Sequence, residues 1–154
     1  MQSQTKVVAP DDRQEIIINR DFELPVELLF KAYEQASILE QWMGTKVLKL
    51  ENKRHGGWEF ETTDPLGNKH IFHGTIHEFV KGNRFVRTFE MENTDFPAQL
   101  EFFEFQSVTP QTSRLEMRMI FRSIEDRDRM LQLPFAKGIN MAHNTLETIM
   151  LNNI

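Results

Sequence analysis

Three histidines lie close together in the sequence, and clustered histidines are candidates for holding a metal ion. They are His70, His73 and His77. On an extended strand, residues three apart point to opposite faces, so His70 and His73 cannot meet. His73 and His77 share a face but lie roughly 13 Å apart along the strand, whereas one zinc ion holds its ligands at roughly 2 Å. The spacing therefore favours histidines that face solvent, and we expect no metal site and no cofactor.

Motifs for nucleophilic catalysis and phosphate binding are absent from the sequence. The chain has no cysteine, which excludes disulfides, thiolate metal sites and a cysteine nucleophile. It has no Gly-x-Ser-x-Gly elbow and no glycine-rich phosphate loop. The pair Gly56-Gly57 is typical of a turn. His143, on the flank of the last predicted helix, could point towards the sheet, where we favour a structural hydrogen bond over catalysis. The catalytic residues, if any exist, stay unknown.

One predicted hairpin would place opposite charges on an apolar face. If Gly82-Asn83 is a two-residue turn, Glu78 pairs with Arg87, and the neighbouring pairs on that face are apolar. Those neighbours are Val80 with Phe85 and Ile76 with Phe89. A buried ion pair is expensive to desolvate and often marks a functional site, and an arginine could hold a ligand carboxylate through two hydrogen bonds. The alternative is that both charges lie near the end or edge of the sheet and stay in water.

Phenylalanine and methionine are abundant, with 13 Phe and 8 Met beside 2 Trp. Flat and flexible apolar side chains suit an adaptable pocket, although a filled core has the same composition. The inward face of the strand 98–109 stays open, because Leu100 and Phe102 compete with Phe103 and Phe105. The candidates for lining a cavity are Trp42, Met43, Trp58, Phe60, Phe72, Ile76, Glu78, Arg87, Phe89, Phe102, Met117, Met119, Phe135, Ile139 and His143.

The spacing of apolar residues predicts the elements that position these side chains. Strands are predicted near 15–23, 47–52, 57–63, 70–80, 84–92, 98–109 and 113–122. Helices are predicted over 25–33, from Ser37 to Gly44, over 123–131 and over 134–152. Ser37 with Glu40 fits a capping box, and Ser123 fits an N-cap. Residues 1–14 are predicted to be a flexible tail, and residues 15–154 one domain.

The last predicted helix has one apolar side. Phe135, Ile139, Ala142, Leu146 and Ile149 form a continuous stripe, whereas Lys137, Asn140, Asn144 and Glu147 fall on the opposite side. Short turns between consecutive strands predict an antiparallel meander. A helix with one apolar side must bury that side, and the apolar face of the sheet is the large partner available. The pattern therefore predicts a sheet packed against a long C-terminal helix.

Length and charge limit the classes of protein that fit the chain. Its 154 residues suit one domain, and its net charge of −5 comes from acids and bases scattered together. A duplex-binding protein usually presents a basic patch, so nucleic-acid binding is not expected. The sequence has no run of about 18 apolar residues and no signal peptide, so we expect a cytoplasmic protein without a membrane span.

The order of the predicted elements and several motifs resemble the START-like (SRPBCC) superfamily. The motifs are Arg20-Asp21-Phe22-Glu23-Leu24-Pro25, Leu29-Phe30-Lys31-Ala32, Leu39-x-x-Trp42, Arg54-x-Gly56-Gly57-Trp58-x-Phe60, Phe72-x-Gly74-x-Ile76-x-Glu78 and Asn83-Arg84-Phe85-Val86. They are similar to the group related to the activator of the heat-shock-protein-90 ATPase, and the resemblance covers about residues 15–152. The chain departs from that group at Met43, where a second Trp is common, and at the turn Lys81-Gly82-Asn83, which often contains Pro.

The resemblance implies an α+β fold of the helix-grip type. In this fold a curved antiparallel sheet wraps around a long C-terminal helix, and two short helices follow the first strand. Relatives bind lipids, sterols or polyketide-like molecules between sheet and helix, some catalyse cyclisation or hydrolysis there, and the namesake stimulates a chaperone ATPase. A shared fold does not transfer function, so all three roles stay open.

We therefore carry three hypotheses about function. The leading one is the binding of a small hydrophobic molecule in a cavity between the sheet and the C-terminal helix, without established catalysis. The second is a chaperone-linked interaction module. The third is a cyclase- or hydrolase-type enzyme that acts on a polyketide-like or aromatic substrate, with Glu78, Arg87 and His143 as its acid–base candidates. An exposed edge strand could pair with a second copy, so a monomer and a homodimer both stay open.

Overall fold

Segments rich in β-branched and aromatic residues form the strands of the protein, and segments with one apolar side form its helices. The computed structural model describes residues 4–152. In chain order the elements are β1 (Lys6–Val8), β2 (Glu15–Phe22), α1 (Val26–Glu34), α2 (Ala36–Met43), β3 (Lys46–Leu50), β4 (Gly57–Thr63), β5 (Lys69–Val80), β6 (Arg84–Met91), β7 (Gln99–Thr109), β8 (Thr112–Ile120), α3 (Ile124–Gln132) and α4 (Phe135–Leu151). Every predicted element is present, with each end displaced by two residues at most.

All eight strands form one antiparallel sheet that is curved but not closed. Strands β3 to β8 follow one another as a meander, and β2 then pairs with β8. The resulting order is β1-β2-β8-β7-β6-β5-β4-β3. Helix α1 packs on β7 and β8, and α4 packs on the other three helices. The prediction of an α+β helix-grip fold is therefore confirmed.

The segment predicted as a flexible tail contains β1. This strand pairs with β2, with Lys6 opposite Asn19 and Val8 opposite Ile17. Just before it, Thr5 lies 2.7 Å from His143, measured between Oγ1 and Nδ1. The tail prediction is wrong for these residues, because a strand of three residues is too short to show an alternating pattern. The first three residues of the predicted tail lie outside the described residues.

The hairpin between β5 and β6 differs in register from the prediction. Its loop contains three residues, because Val80 pairs with Arg84 and the amide of Asn83 donates to the carbonyl of Val80 at 3.0 Å. Gly82 has a φ of +78°, as the third position of a type II turn requires. A bulge near residue 77 shifts the register again, so Glu78 lies opposite Val86 and Ile76 opposite Arg87. The predicted pairing of Glu78 with Arg87 is therefore wrong.

The strand β7 directs its odd-numbered residues into the core. Phe103 and Phe105 are buried opposite Met117 and Leu115 of β8, and Gln99 and Glu101 are buried on the same side. Phe102 lies on the opposite face of the strand, so it does not face the space between the sheet and the helices where it was predicted. The sequence left this choice open because an apolar residue occupies both faces of the strand.

The helix ends follow local signals only in part. Ser123 caps α3 as predicted, since its Oγ accepts a hydrogen bond from the amide of Asp126 at 3.1 Å. The predicted capping box of α2 is wrong, because the helix begins at Ala36 without a side-chain cap. Its acidic member, Glu40, instead accepts a hydrogen bond from the amide of Val47 at 2.9 Å.

Helix α4 buries part of the side that was predicted to be polar. Glu147 is 3% exposed and Arg20 of β2 is 1% exposed, and their side chains approach to 3.5 Å. Nη1 of Arg20 also donates to Asn144 at 2.8 Å and to Asn140 at 3.3 Å. The prediction placed these partners opposite the apolar stripe, but they meet a buried arginine instead. The C-terminal helix is thus held to the sheet by polar as well as apolar contacts.

Candidate functional site

A cavity of about 160 Å³ lies on the concave side of the sheet, between strands β4 to β6 and the end of α2. Its wall is mostly aromatic, and the lining residues are Met43, Thr45, Trp58, Phe60, Thr62, Phe72, Arg87 and Phe89. Met43 is the last residue of α2 and is 38% exposed, so it stands between the cavity and solvent. The cavity was predicted under the C-terminal helix, but no residue of α4 lines this one.

Trp58 forms the floor of the cavity because a glycine on the next strand leaves room for its indole. Trp58 pairs with Gly74, and the indole crosses that glycine so that Nε1 donates to the carbonyl of Thr88 at 3.0 Å. A Cβ atom at Gly74 would lie 1.9 Å from the Thr88 oxygen and 2.8 Å from Trp58 Nε1. Neither distance is tolerable, so the glycine fixes where the tryptophan lies.

Arg87 lies against the aromatic rings of this wall. Its Cζ atom is 4.1 Å from the centroid of Trp58 and 4.8 Å from that of Phe103. A guanidinium stacked in this way is attracted by the ring faces. The Arg87 side chain is only 11% exposed, so its charge is largely removed from water.

The partner of Arg87 is Glu101 on β7. Arg87 Nε donates to Glu101 Oε1 at 2.9 Å, and the Glu101 side chain is 4% exposed. The second carboxylate oxygen accepts a hydrogen bond from Gln99 at 3.0 Å. A buried carboxylate held by two donors is the counterpart of the arginine charge. Arg87 therefore forms a buried ion pair, but its partner is Glu101 and not Glu78, which the sequence analysis had paired with it.

The other nitrogens of Arg87 are free to bind. Within residues 4–152, neither Nη group of Arg87 has a hydrogen-bond partner on the protein. Arg87 lines the cavity and also a smaller space of about 20 Å³ beside it, which Tyr33 and Ile76 help to line. The arginine thus offers hydrogen-bond donors to the cavity while its charge is already matched.

Tyr33 connects this cluster to α4. Its ring lies edge-on to Trp42 at 5.0 Å, and its hydroxyl lies 3.3 Å from His143 Nε2. Burial raises the pKa of Tyr33 above its ordinary value of 10, although the positive charge of Arg87 opposes the shift. The phenol is therefore protonated at neutral pH.

His143 is a buried, uncharged histidine. Burial lowers its pKa to about 3, and the nearby charge of Arg20 acts in the same direction. A neutral imidazole has one donor and one acceptor nitrogen, and these face Thr5 and Tyr33. Its ring also meets Phe22 edge-on at 5.4 Å. These contacts agree with the structural hydrogen bond that was favoured for His143.

The structure brings six of the predicted cavity residues together around one space: Met43, Trp58, Phe60, Phe72, Arg87 and Phe89. Ile76 lines the smaller neighbouring space. Trp42, Met117 and Met119 are buried in the core, and Phe135 and Ile139 pack against it half-buried. Glu78 does not line this cavity, because it is exposed and bonds to Arg84 at 2.6 Å.

Sequence reasoning missed the residue that matters most for the charge of the site, Glu101. The signal was present, because Glu101, Phe103 and Phe105 follow a period of two along β7. An acid in phase with two buried aromatics is a candidate for a buried carboxylate. Tyr33, Thr45 and Thr62 were also missed, and their types and spacing alone give no sign of a site.

The three clustered histidines of β5 lie away from the cavity. His70 is exposed and lies 2.9 Å from Asp64, and His73 lies 3.4 Å from Glu90. His77 is exposed as well. Among residues 4–152, no group of three or more His, Asp or Glu side chains could hold a metal ion.

Comparison with known proteins decides the family. Residues 23–150 match the family described as "Activator of Hsp90 ATPase homolog 1-like protein". The chain belongs to this family. The match includes every cavity residue and Glu101, so the site lies inside the matched region. No match was found among the curated proteins.

Solved structures share the fold of this chain over nearly its whole length. Protein Ms6760 from Mycobacterium smegmatis is 20% identical with a TM-score of 0.86, over 95% of this chain and 96% of that one. A protein from Rhodobacter sphaeroides is 17% identical with a TM-score of 0.87, over 98% and 99%. Protein NE0264 from Nitrosomonas europaea is 17% identical with a TM-score of 0.80, over 94% and 98%. At these identities the likeness shows the fold alone.

Family and fold together indicate a ligand-binding or a chaperone-associated module. Within the described range, 4–152, no helix has the length and apolar character needed to cross a membrane.

Proposed function

We propose that the protein binds a small, ring-bearing apolar molecule in the cavity between β4–β6 and the end of α2. The observation that carries this proposal is the aromatic wall around a space of about 160 Å³, with the partly free Arg87 in it. Flat apolar walls with a few placed polar groups are typical of small-molecule sites. Compared with the expectation from the sequence, the site moves from α4 to the end of α2.

The volume of the cavity suits a ligand with one ring. Drug-sized ligands occupy pockets of about 300–1,000 Å³, which exceeds the volume present. An engineered apolar cavity of about 150 Å³ binds benzene, so a monocyclic molecule fits the space as it stands. A larger ligand would require Met43 or its neighbours to move.

The charged groups near the cavity support binding more than catalysis. Both oxygens of Glu101 already accept hydrogen bonds, so this carboxylate is poorly placed to take a proton. The raised pKa of Tyr33 and the lowered pKa of His143 keep both side chains uncharged at neutral pH. A general acid or base works best when its pKa lies near the working pH, and neither residue meets that condition.

The test is calorimetric titration with ethylbenzene as the probe, using the native protein and two variants. Thr62→Phe places a ring in the cavity, whereas Thr63→Phe places the same ring on the exposed opposite face of β4. We expect the native protein and Thr63→Phe to bind alike and Thr62→Phe to lose at least about tenfold in affinity. Equal binding by both variants, with unchanged melting temperatures, would place the ligand elsewhere.

Family membership supports a second function, association with an Hsp90-type chaperone. The test is the ATPase rate of such a chaperone titrated with this protein. A rate that changes with added protein supports the second function, and a flat titration removes it. Thr62→Phe separates the two functions, because it fills an internal cavity and should leave a surface contact with a chaperone unchanged.

A further inference from the structure

We propose that the cavity selects uncharged ring-bearing molecules that carry one hydrogen-bond acceptor, such as an aryl ketone, over the corresponding carboxylates. This inference rests on the proposed function and adds the polarity of the ligand to it. It reverses the usual expectation for a buried arginine, which is that the residue binds an anion.

The first step is that the charge of Arg87 is already matched. Its Nε lies 2.9 Å from Glu101, and the two side chains are 11% and 4% exposed. A ligand carboxylate would bring a second negative charge beside Glu101 in a site with little water. Burying an anion without an unmatched cation carries a large desolvation cost. The pair therefore disfavours carboxylates.

The second step is that two donor groups of Arg87 in the cavity wall have no acceptor on the protein. Arginine has five N–H donors, and only Nε is used, since neither Nη group has a partner within residues 4–152. A neutral carbonyl oxygen can accept from these donors without adding charge. These nitrogens are not among the fully buried polar atoms without a partner, so water reaches them, and a ligand carbonyl would take the place of that water as the acceptor.

The third step is that the other polar groups of the wall have partners. The Trp58 indole donates to the Thr88 carbonyl at 3.0 Å. Thr45 donates to the Glu61 carbonyl at 3.0 Å, and Thr62 donates to the Thr45 hydroxyl at 3.3 Å. Among the described lining residues, Arg87 is therefore the free donor, which limits the ligand to one well-placed acceptor on an apolar body.

The experiment compares three probes of similar size on the native protein at pH 7: acetophenone, ethylbenzene and benzoate. We expect acetophenone to bind about tenfold more tightly than ethylbenzene, because its carbonyl accepts a hydrogen bond from the charged Arg87. Benzoate, which is ionised at this pH, should bind more weakly than either. Isothermal calorimetry, or the displacement of ethylbenzene followed by NMR, gives the three constants.

A single substitution should invert the preference. Glu101→Gln keeps the size of the side chain but leaves the positive charge of Arg87 unmatched, so benzoate should gain at least about tenfold relative to acetophenone. Glu104→Gln is the matched control, because it removes the same charge from an exposed residue on the other face of β7. Its selectivity should equal that of the native protein.

A second variant keeps the inference testable if Glu101→Gln does not fold. The double substitution Arg87→Met with Glu101→Met replaces the pair by apolar side chains, and the advantage of acetophenone over ethylbenzene should vanish. If ethylbenzene binds but acetophenone binds no better, or if benzoate binds best to the native protein, the inference is overturned and the binding site stands. If none of the three probes binds, the proposed function itself fails.

Discussion

At the scale of single residues, Arg87 and Glu101 form a buried ion pair whose members depend on each other. Removing one partner of such a pair leaves an uncompensated charge, whereas replacing both by apolar side chains is often neutral or stabilising. The aromatic rings at 4.1 and 4.8 Å from the Arg87 Cζ atom could also pack against a methionine. Stability alone therefore does not require this pair.

The first prediction concerns this pair. Arg87→Met should lower the free energy of unfolding by about 3 kcal/mol or more, and the double variant with Glu101→Met should recover most of the loss. Arg84→Met is the control, since the Arg84–Glu78 pair is 45% and 48% exposed and should cost less than about 1 kcal/mol. The measurement is denaturant unfolding. Equal losses in Arg87→Met and Arg84→Met would show that Glu101 is not a buried charge.

The second prediction concerns Gly74. Because an added Cβ would lie 1.9 Å from the Thr88 carbonyl oxygen, Gly74→Ala should destabilise the protein by about 2 kcal/mol or more and weaken ethylbenzene binding by displacing Trp58. Gly138→Ala on α4 is the control, because nothing lies within 4 Å of its added methyl group. It should be neutral or stabilising. Thermal unfolding checks both, and a tolerated Gly74→Ala would contradict the position given to Trp58.

At the scale of elements, α4 is held to the sheet by buried polar contacts. Glu147 accepts hydrogen bonds from Arg20 and from the amide of Glu23, and His143 lies between Thr5 and Tyr33. A buried histidine that stays neutral ties the docking of the helix to pH. Folding depresses the affinity of His143 for a proton, so the unfolded chain binds more protons below its ordinary pKa of 6.5.

The third prediction follows from the sign of that shift. The contribution of the neutral His143 to the free energy of unfolding should be fully present above about pH 6.5. Below that pH the free energy of unfolding should fall by up to about 1.4 kcal/mol per pH unit, until the pH reaches the folded pKa of about 3. Asp21 and Asp64 have lowered pKa values, so their contributions are lost only below their ordinary value of 3.8. The window between pH 6 and 4.5 therefore reports on His143.

The measurement is denaturant unfolding at several pH values in that window. His143→Gln should flatten the slope, and His77→Gln, at an exposed position, should leave it unchanged. A slope in His143→Gln as steep as in the native protein would show that another group controls docking of α4.

The elements were predictable from the sequence because their signals are local. Period-two alternation in β8 and the apolar stripe of α4 indicate strand and helix without knowledge of the partner. The pairing register of neighbouring strands was harder to predict from the sequence. The position of Glu78 depended on the loop length at Gly82 and on a bulge near residue 77, and a shift of one residue exchanges the two faces of a strand. The same uncertainty hid Glu101.

At the scale of the whole molecule, the sequence predicted the fold more accurately than the site. The order of elements and the motifs around Trp42, Trp58 and Gly74 were sufficient for the helix-grip fold. The place of the cavity was not predictable, because it depends on how the end of α2 and the sheet leave space between them. Aromatic residues that line the cavity and those that fill the core have the same types and periods. Only the packed structure separates Trp58 from Trp42.

This difference between the two tryptophans also provides the most direct test. Both indoles are buried. The Trp58 side chain lines the cavity and donates to Thr88, whereas Trp42 does not line it and donates to the Ala32 carbonyl at 2.9 Å. The measurement is an NMR titration of the two indole N–H signals with ethylbenzene. We predict a saturable shift of the Trp58 signal and little change at Trp42. A Trp58 signal that does not move at saturating probe, or equal shifts of both signals, would contradict the binding site.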